Sequence, residues 1–154
     1  MSFSERMKES LGVEGARVEV EVPSTKVAPG GEAVTKVRIL GGSREARVDA
    51  LVMRVIEARR HWLDPNGTRL EETQATDKAA RRKLMPGWDR RVVHEQEVPV
   101  GHLVEPGTPF DLEVVLTVPE SCGATDDACV VTINAQADIK GQIDPTGTSI
   151  LQVG

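Results

Sequence analysis

A regular alternation of apolar and polar positions runs through most of this sequence. It is clearest over residues 16–22, where Ala16, Val18, Val20 and Val22 alternate with charged residues. This is the pattern of a β-strand with one covered face and one face in water. Similar patterns and Val-rich runs predict further strands over residues 34–40, 46–63, 91–100, 110–118, 129–139 and 149–153.

Proline and glycine cluster in the gaps between these predicted strands. The gaps contain the sequences APGG at 28–31, DPNG at 64–67, EPGTP at 105–109 and DPTG at 144–147. Proline cannot donate to a ladder and glycine accepts positive φ, so each cluster favours a turn. Short strands separated by such turns, without alternating helices, predict an all-β antiparallel sandwich of about seven to eight strands in one domain over 1–154.

The first residues follow a different period. Over 1–12, Phe3, Met7 and Leu11 recur at a spacing of four, which places them on one stripe of a helix. We expect a short N-terminal helix that lies against the sandwich. Contact with a membrane surface or a partner is the alternative, which the balanced charges of the segment disfavour.

Residues 64–91 form the part of the chain that fits no period, and we predict a long charged hairpin or loop region there. Between residues 76 and 91, six basic residues face two acidic ones, so this stretch carries +4 in a chain of net charge −5 and the remainder carries −9. Either the segment is solvated, or it forms a surface for an anionic membrane or nucleic acid. The candidate interaction residues are Lys78, Arg81, Arg82, Lys83, Trp88, Arg90 and Arg91.

Motifs for chemistry are incomplete in this sequence. His94 and Glu95 begin like the zinc-protease helix, but Val98 stands where the second histidine would be needed. There is no Gly-x-Ser-x-Gly elbow and no phosphate-binding glycine loop, and the histidines lack metal-ligand spacing. The sequence therefore predicts no catalytic residue, no metal site, no cofactor and no enzyme activity.

Charge and cysteine content limit the partners and the compartment. A net charge of −5 disfavours a general nucleic-acid binder, since phosphate contacts need a basic face. No signal peptide or membrane span is visible, which predicts a cytoplasmic protein in which Cys122 and Cys129 are reduced thiols.

Several strand ends and turns together resemble one bacterial family. They are VAPGGEAV at 27–34, VRILGG at 37–42, VPV at 98–100, FDL at 110–112, VP at 118–119 and ADIKGQIDP at 137–145. Their order and spacing are similar to the N-terminal arrestin-like domain of sporulation-control (SpoOM) proteins, over nearly the whole chain.

The resemblance implies an arrestin-like, immunoglobulin-like sandwich without enzyme activity. It also implies a regulatory or scaffold role exercised through contacts with a protein partner of unknown identity. Since an open sheet leaves unpaired edges, a partner strand could add to one of them, and pairing of edges into a homo-oligomer is left open. Binding of an anionic membrane or nucleic acid through residues 76–91 is the alternative function.

Overall fold

The structure is a computed structural model, and it describes residues 15–75 and 83–154. Eight strands are present in this part of the chain, and all eight pair antiparallel. The N-terminal helix expected over 1–12 lies outside the described residues. The strands are β1 (Arg17–Glu21), β2 (Glu32–Leu40), β3 (Ala46–Leu63), β4 (Arg69–Glu71), β5 (Met85–Val104), β6 (Pro109–Thr117), β7 (Cys129–Ile139) and β8 (Thr146–Leu151).

Two sheets divide these strands. The small sheet has the order β1-β2-β6, and the large sheet contains β4, β3, β7, β8 and β5. Along one side of β3 runs β5, over the full length of β3. Along the other side run first β7 and then, beside the last three residues of β3, the short strand β4. The predicted all-β antiparallel architecture is confirmed.

A continuous aliphatic core lies between the two sheets. The alternating positions of β2 contribute Ala33, Val37 and Ile39, all at most 1% exposed. The large sheet contributes inward residues such as Met53 and Ile133, both fully buried. Where one sheet covers the other, the alternation of apolar and polar residues in the sequence therefore predicts which side chains are buried.

The β3–β5 hairpin is longer than the sandwich. We define the arm as residues 57–63 of β3 with residues 85–91 of β5. Its inward residues are not part of the aliphatic core, and most of them form ion pairs or hydrogen bonds with polar side chains. The prediction that strand structure starts at Arg91 is wrong, because β5 starts at Met85. Residues 85–90 therefore form a strand in a region for which no particular strand was predicted. Only Asp89 and Arg90 are charged in this stretch, and Met85 and Trp88 are exposed apolar residues, so it lacks the alternation that predicts a half-buried strand.

Two turns at one end of the sandwich approach each other closely at Gly41. Its N–H donates to the carbonyl of Thr108 at 2.8 Å, and its own carbonyl accepts from the N–H of Gly107 at 3.3 Å. A Cβ at position 41 would lie 2.0 Å from the carbonyl oxygen of Glu105. Glycine is required there because backbone, not a movable side chain, fills the space.

Candidate interaction site on the β3–β5 arm

The structure describes four of the seven residues in the predicted interaction surface. Lys78, Arg81 and Arg82 lie outside the described residues, whereas Lys83 lies exposed two residues before β5. The other three, Trp88, Arg90 and Arg91, are exposed residues of β5. Three residues of the predicted surface thus lie on a regular strand.

Trp88 and Arg90 share the outer face of the large sheet. They line a shallow depression with Ile56, Ala58 and, from β7, Val130 and Thr132. The Trp88 side chain is 45% exposed, and the neighbouring Val92 of the same strand is 50% exposed. The outer face is therefore open and largely apolar around Trp88 and Val92, with Arg90 beside the tryptophan.

Arg91 lies on the opposite, inner face, where it contacts a glutamate that the sequence did not single out. Glu57 of β3 is only 2% exposed. Its carboxylate accepts from Arg59 Nε at 2.8 Å and Arg59 Nη2 at 3.3 Å, from Arg91 Nη2 at 3.2 Å and from the backbone N–H of Gly123 at 2.9 Å. Arg91 is thus a partner of a buried carboxylate.

The Glu57 cluster connects the arm to the loop between β6 and β7, to which Gly123 belongs. Burial acts to raise the pKa of Glu57, but the hydrogen bonds from Arg59 and Gly123, helped by the charges of both arginines, hold the pKa below its ordinary value. The carboxylate is therefore ionised, and it is balanced on the side of the arm by two guanidinium groups.

Cys122 and Cys129 lie beside this cluster. Both are buried free thiols, and a Cβ at Gly123 would come within 3.3 Å of the Cys129 sulfur. Burial, followed by the nearby charge of Glu57, raises the pKa of each thiol. A raised pKa keeps both cysteines protonated and weakly nucleophilic.

A second charged cluster lies further along the inner face, toward the tip of the arm. Asp89 accepts hydrogen bonds from the Arg69 guanidinium, one of them 3.2 Å long, and its carboxylate lies 3.1 Å from His61 Nδ1. The hydrogen bond from Arg69 lowers the pKa of Asp89 below its ordinary value. The His61 ring packs on Gly87, where a Cβ would come within 2.4 Å of Nε2.

On the outer face near the tip, Glu72 ties β3 to the turn after β4. It accepts from the Arg60 guanidinium at 2.6 and 3.1 Å and from Trp62 Nε1 at 2.7 Å. The Arg60 guanidinium also lies over the Trp62 ring, 4.8 Å from its centroid. Carboxylates in or next to the arm are thus paired with arginines on both faces.

Within residues 15–75 and 83–154, no group of three or more His, Cys, Asp or Glu side chains is placed to hold a metal ion. No helix in the same ranges has the length and apolarity needed to cross a membrane.

The free edge of β5 is the most extended feature of the site. In the part of the chain that the structure describes, β5 pairs with β3 only, from Ala46 opposite Val104 to Leu63 opposite Met85. Its other edge pairs with no strand of residues 15–75 and 83–154 over its 20-residue length. Unpaired N–H and C=O groups on such an edge are a template for another strand.

Two antiparallel sheets packed around one aliphatic core, with one long edge hairpin, define the molecule as a β-sandwich protein. The chain belongs to the SpoOM protein family, whose model matches residues 4–154. The resemblance seen in the strand ends and turns is thereby confirmed.

One solved structure supports this assignment at the level of the fold. The chain is similar to the sporulation control protein Spo0M from Bacillus subtilis, with a TM-score of 0.68 and 16% identity over 90% of this chain and 49% of that protein. The chain thus spans about half the length of that relative. A CARDB domain from Pyrococcus furiosus matches with a TM-score of 0.42 and 18% identity, over 90% of this chain and 87% of that domain. No curated protein sequence matches.

Proposed function

We propose that this chain is a non-enzymatic regulatory or scaffold protein of sporulation control, with an arrestin-like sandwich that binds a protein partner through the free edge of β5. The observation that carries the proposal is the 20-residue length of a strand that, among the described residues, is paired on one side only. Main-chain hydrogen bonds along such an edge supply affinity, and side chains beside it supply specificity. The family assignment supports a role in sporulation control, and we place this role in the cytoplasm as part of the same proposal.

Side chains next to the edge suit a protein partner. Trp88 and Val92 offer apolar contact area on the outer face, and Arg90 stands between them in the sequence. Tryptophan and arginine are enriched among the residues that dominate binding energy in protein interfaces. The inner face contributes rigidity, because Glu57 joins both strands of the arm to the loop at Gly123.

Binding of an anionic membrane or nucleic acid through residues 76–91 gains no support from the described residues. Arg91 is engaged by Glu57 on the inner face, while Arg90 and Trp88 lie on the outer face. The basic side chains of β5 are thereby divided between two surfaces. This alternative remains a prediction.

Matched substitutions on two edge strands test the proposal. Val92 on β5 and Val115 on β6 are both valines in edge strands, 50% and 45% exposed. Lysine on an edge strand opposes the addition of another strand. We expect a protein retained from a lysate of the source organism by the wild-type chain and by Val115→Lys to be lost with Val92→Lys, as measured by quantitative mass spectrometry. Equal retention by all three chains, or retention of no protein, would contradict the proposal.

A further inference from the structure

A small residue lies at the floor of the depression on the outer face of the large sheet. Ala58 of β3 pairs with Arg90 of β5 on one side and with Val130 of β7 on the other. Strands favour β-branched and aromatic residues over alanine, and Ile56 and Arg60 are the neighbours of Ala58 on the same face of β3. Because the Ala58 side chain ends at its Cβ, the larger side chains around it enclose a space of about 270 Å³. We call this space the Ala58 depression.

Apolar side chains surround most of the Ala58 depression. Trp88, Ile56 and Val130 line it, and Ile56 pairs with Val92. Trp88 is 45% exposed and Val92 is 50% exposed. Exposed apolar residues that occur singly need no explanation, whereas a contiguous group of them marks a site of interaction. This part of the sheet is therefore a candidate for contact with another molecule.

The size of the Ala58 depression limits its occupant. Sites for small molecules and cofactors have volumes of about 300–1,000 Å³ and bury most of the ligand. The Ala58 depression is smaller and lies on an open sheet face. Anchor side chains that fill pockets supply much of the affinity between proteins. The depression therefore suits one large side chain of a protein partner better than a free small molecule.

One charged side chain of the described residues, Arg90, lines the Ala58 depression. In residues 15–75 and 83–154, no ion pair includes the Arg90 side chain. The other arginines of the arm and of β4 each form one, namely Arg59 and Arg91 with Glu57, Arg60 with Glu72 and Arg69 with Asp89. A guanidinium forms its strongest hydrogen bonds with a carboxylate, often as a bidentate pair. Arg90 is therefore placed to bind a carboxylate of a partner.

We propose that the Ala58 depression binds an extended segment of a protein partner in which a large apolar residue stands two positions from Asp or Glu. The apolar side chain fills the space above Ala58, beside Trp88, and the carboxylate pairs with Arg90. Two side chains at this spacing lie on the same face of an extended segment, about 7 Å apart, and Arg90 is the cross-strand neighbour of Ala58. The inference deepens the proposed function, on which it rests, by giving the chemistry of the protein partner.

The charges along the outer face favour one carboxylate over a densely anionic partner. On this face of β5, Glu95 and Glu97 lie further along the strand, opposite Arg54 and Val52. Glu95 pairs with Arg54, and Glu97 is exposed. Anionic membranes and nucleic acids present many phosphates and need several unpaired basic residues on one surface. A segment with one acidic residue at the right distance meets Arg90 and avoids Glu97.

Peptide selection on the full chain tests the proposal. A phage-displayed library of random heptapeptides is selected against the immobilised wild-type chain and against Ala58→Leu, in which the added side chain fills the depression. We expect the wild-type chain to enrich peptides with a large apolar residue two positions from Asp or Glu, and Ala58→Leu not to enrich them. The matched control is Thr148→Leu, which adds apolar bulk at an exposed position of β8 on the same sheet face, outside the depression. It should enrich the same peptides as the wild-type chain.

Charge exchange between the chain and the peptide tests the role of Arg90. The most enriched peptide is synthesised with a fluorescent label and titrated with each variant, and binding is followed by fluorescence anisotropy. Arg90→Glu should raise the dissociation constant by about tenfold or more. A peptide with lysine in place of its acidic residue should bind Arg90→Glu more tightly than it binds the wild-type chain. Lys36→Glu, a reversal at an exposed position of the small sheet, should leave the dissociation constant unchanged.

Thermal midpoints check that each variant is folded. If Ala58→Leu does not fold, Trp88→Ala takes its place, because loss of this side chain opens one wall of the depression. It should raise the dissociation constant of the peptide by about tenfold or more.

The results separate this inference from the proposed function. Enriched peptides without an acidic residue, equal enrichment by Ala58→Leu, or no enrichment at all would overturn the inference. Self-association of the wild-type chain that Ala58→Leu abolishes would assign the depression to a second copy and would also overturn it. The proposed function stands in each of these cases if Val92→Lys still loses the captured protein. It is contradicted if Val92→Lys retains that protein, even where the peptide binds as expected.

Discussion

Removing the buried carboxylate at Glu57 should loosen the connection between the arm and the loop at Gly123. The side chain is 2% exposed and accepts four hydrogen bonds, three from arginines and one from a backbone N–H. The Arg59 and Arg91 side chains are 55% and 62% exposed. Water can therefore replace their lost partner, and their share of the cost is small.

The larger cost comes from the Gly123 N–H, which loses a charged acceptor in a partly buried place. Such a bond contributes about 1.5–3 kcal/mol, and the lost aliphatic stem adds to it. We expect Glu57→Ala to lower the free energy of unfolding by about 3 kcal/mol. Glu57→Gln keeps the volume and one acceptor oxygen, and it should cost about 1–2 kcal/mol.

Equilibrium unfolding in urea, followed by tryptophan fluorescence, measures these values as a change in midpoint at constant slope. The matched control is Glu113→Gln, an exposed glutamate of β6, which should change stability by less than about 0.5 kcal/mol. If Glu57→Gln unfolded at the same urea concentration as the control, the carboxylate would not hold the loop and this reasoning would be refuted.

The pH dependence of the same variants gives a second check. The pKa of Glu57 is lowered in the folded chain from an ordinary value of 4.5. The stability that it contributes is therefore complete above about pH 4.5 and is lost as the pH falls through the lower folded value. The difference between wild type and Glu57→Gln should shrink in that acidic range. A difference that grows on acidification would contradict the lowered pKa.

Two further predictions concern the thiols and one close backbone approach. Cys122 and Cys129 are buried and their pKa values are raised. The native chain should therefore react with Ellman's reagent far more slowly than the urea-unfolded chain, in which both thiols should react at once. Rapid reaction of the native chain would refute their burial. Gly41→Ala should destabilise by about 3 kcal/mol or more, since its Cβ would meet the Glu105 carbonyl, whereas Ser43→Ala in the same turn should have little effect in the same urea titration.

The fold could be predicted from the sequence wherever one sheet covers the other. Alternation over 16–22 and 110–118 identified β1 and β6 to within one residue at each end. In β7 the predicted 129–139 equals the observed Cys129–Ile139. These strands have one buried face, so the alternation of apolar and polar residues predicts where they begin and end.

The candidate site could be predicted only in part. Trp88 and Arg90 were selected for their charge and apolar character, and they do lie on an exposed surface of β5. Glu57 was missed because its burial depends on Gly123, 66 positions away along the chain. Local sequence around β3 shows a glutamate between apolar residues but gives no sign of the loop that covers it.

The unbroken course of β3 through the core and the arm has a consequence for local opening. Residues near Met53 are fully buried between strands on both sides, whereas the inner face near His61 is held by charged side chains and a three-residue strand. Cooperative units of lower stability are those with few buried apolar contacts. We therefore expect the tip of the arm, beyond the Glu57 cluster, to open and re-form before the core does, so the end of the edge strand can adjust to a partner while the rest of the hairpin stays folded.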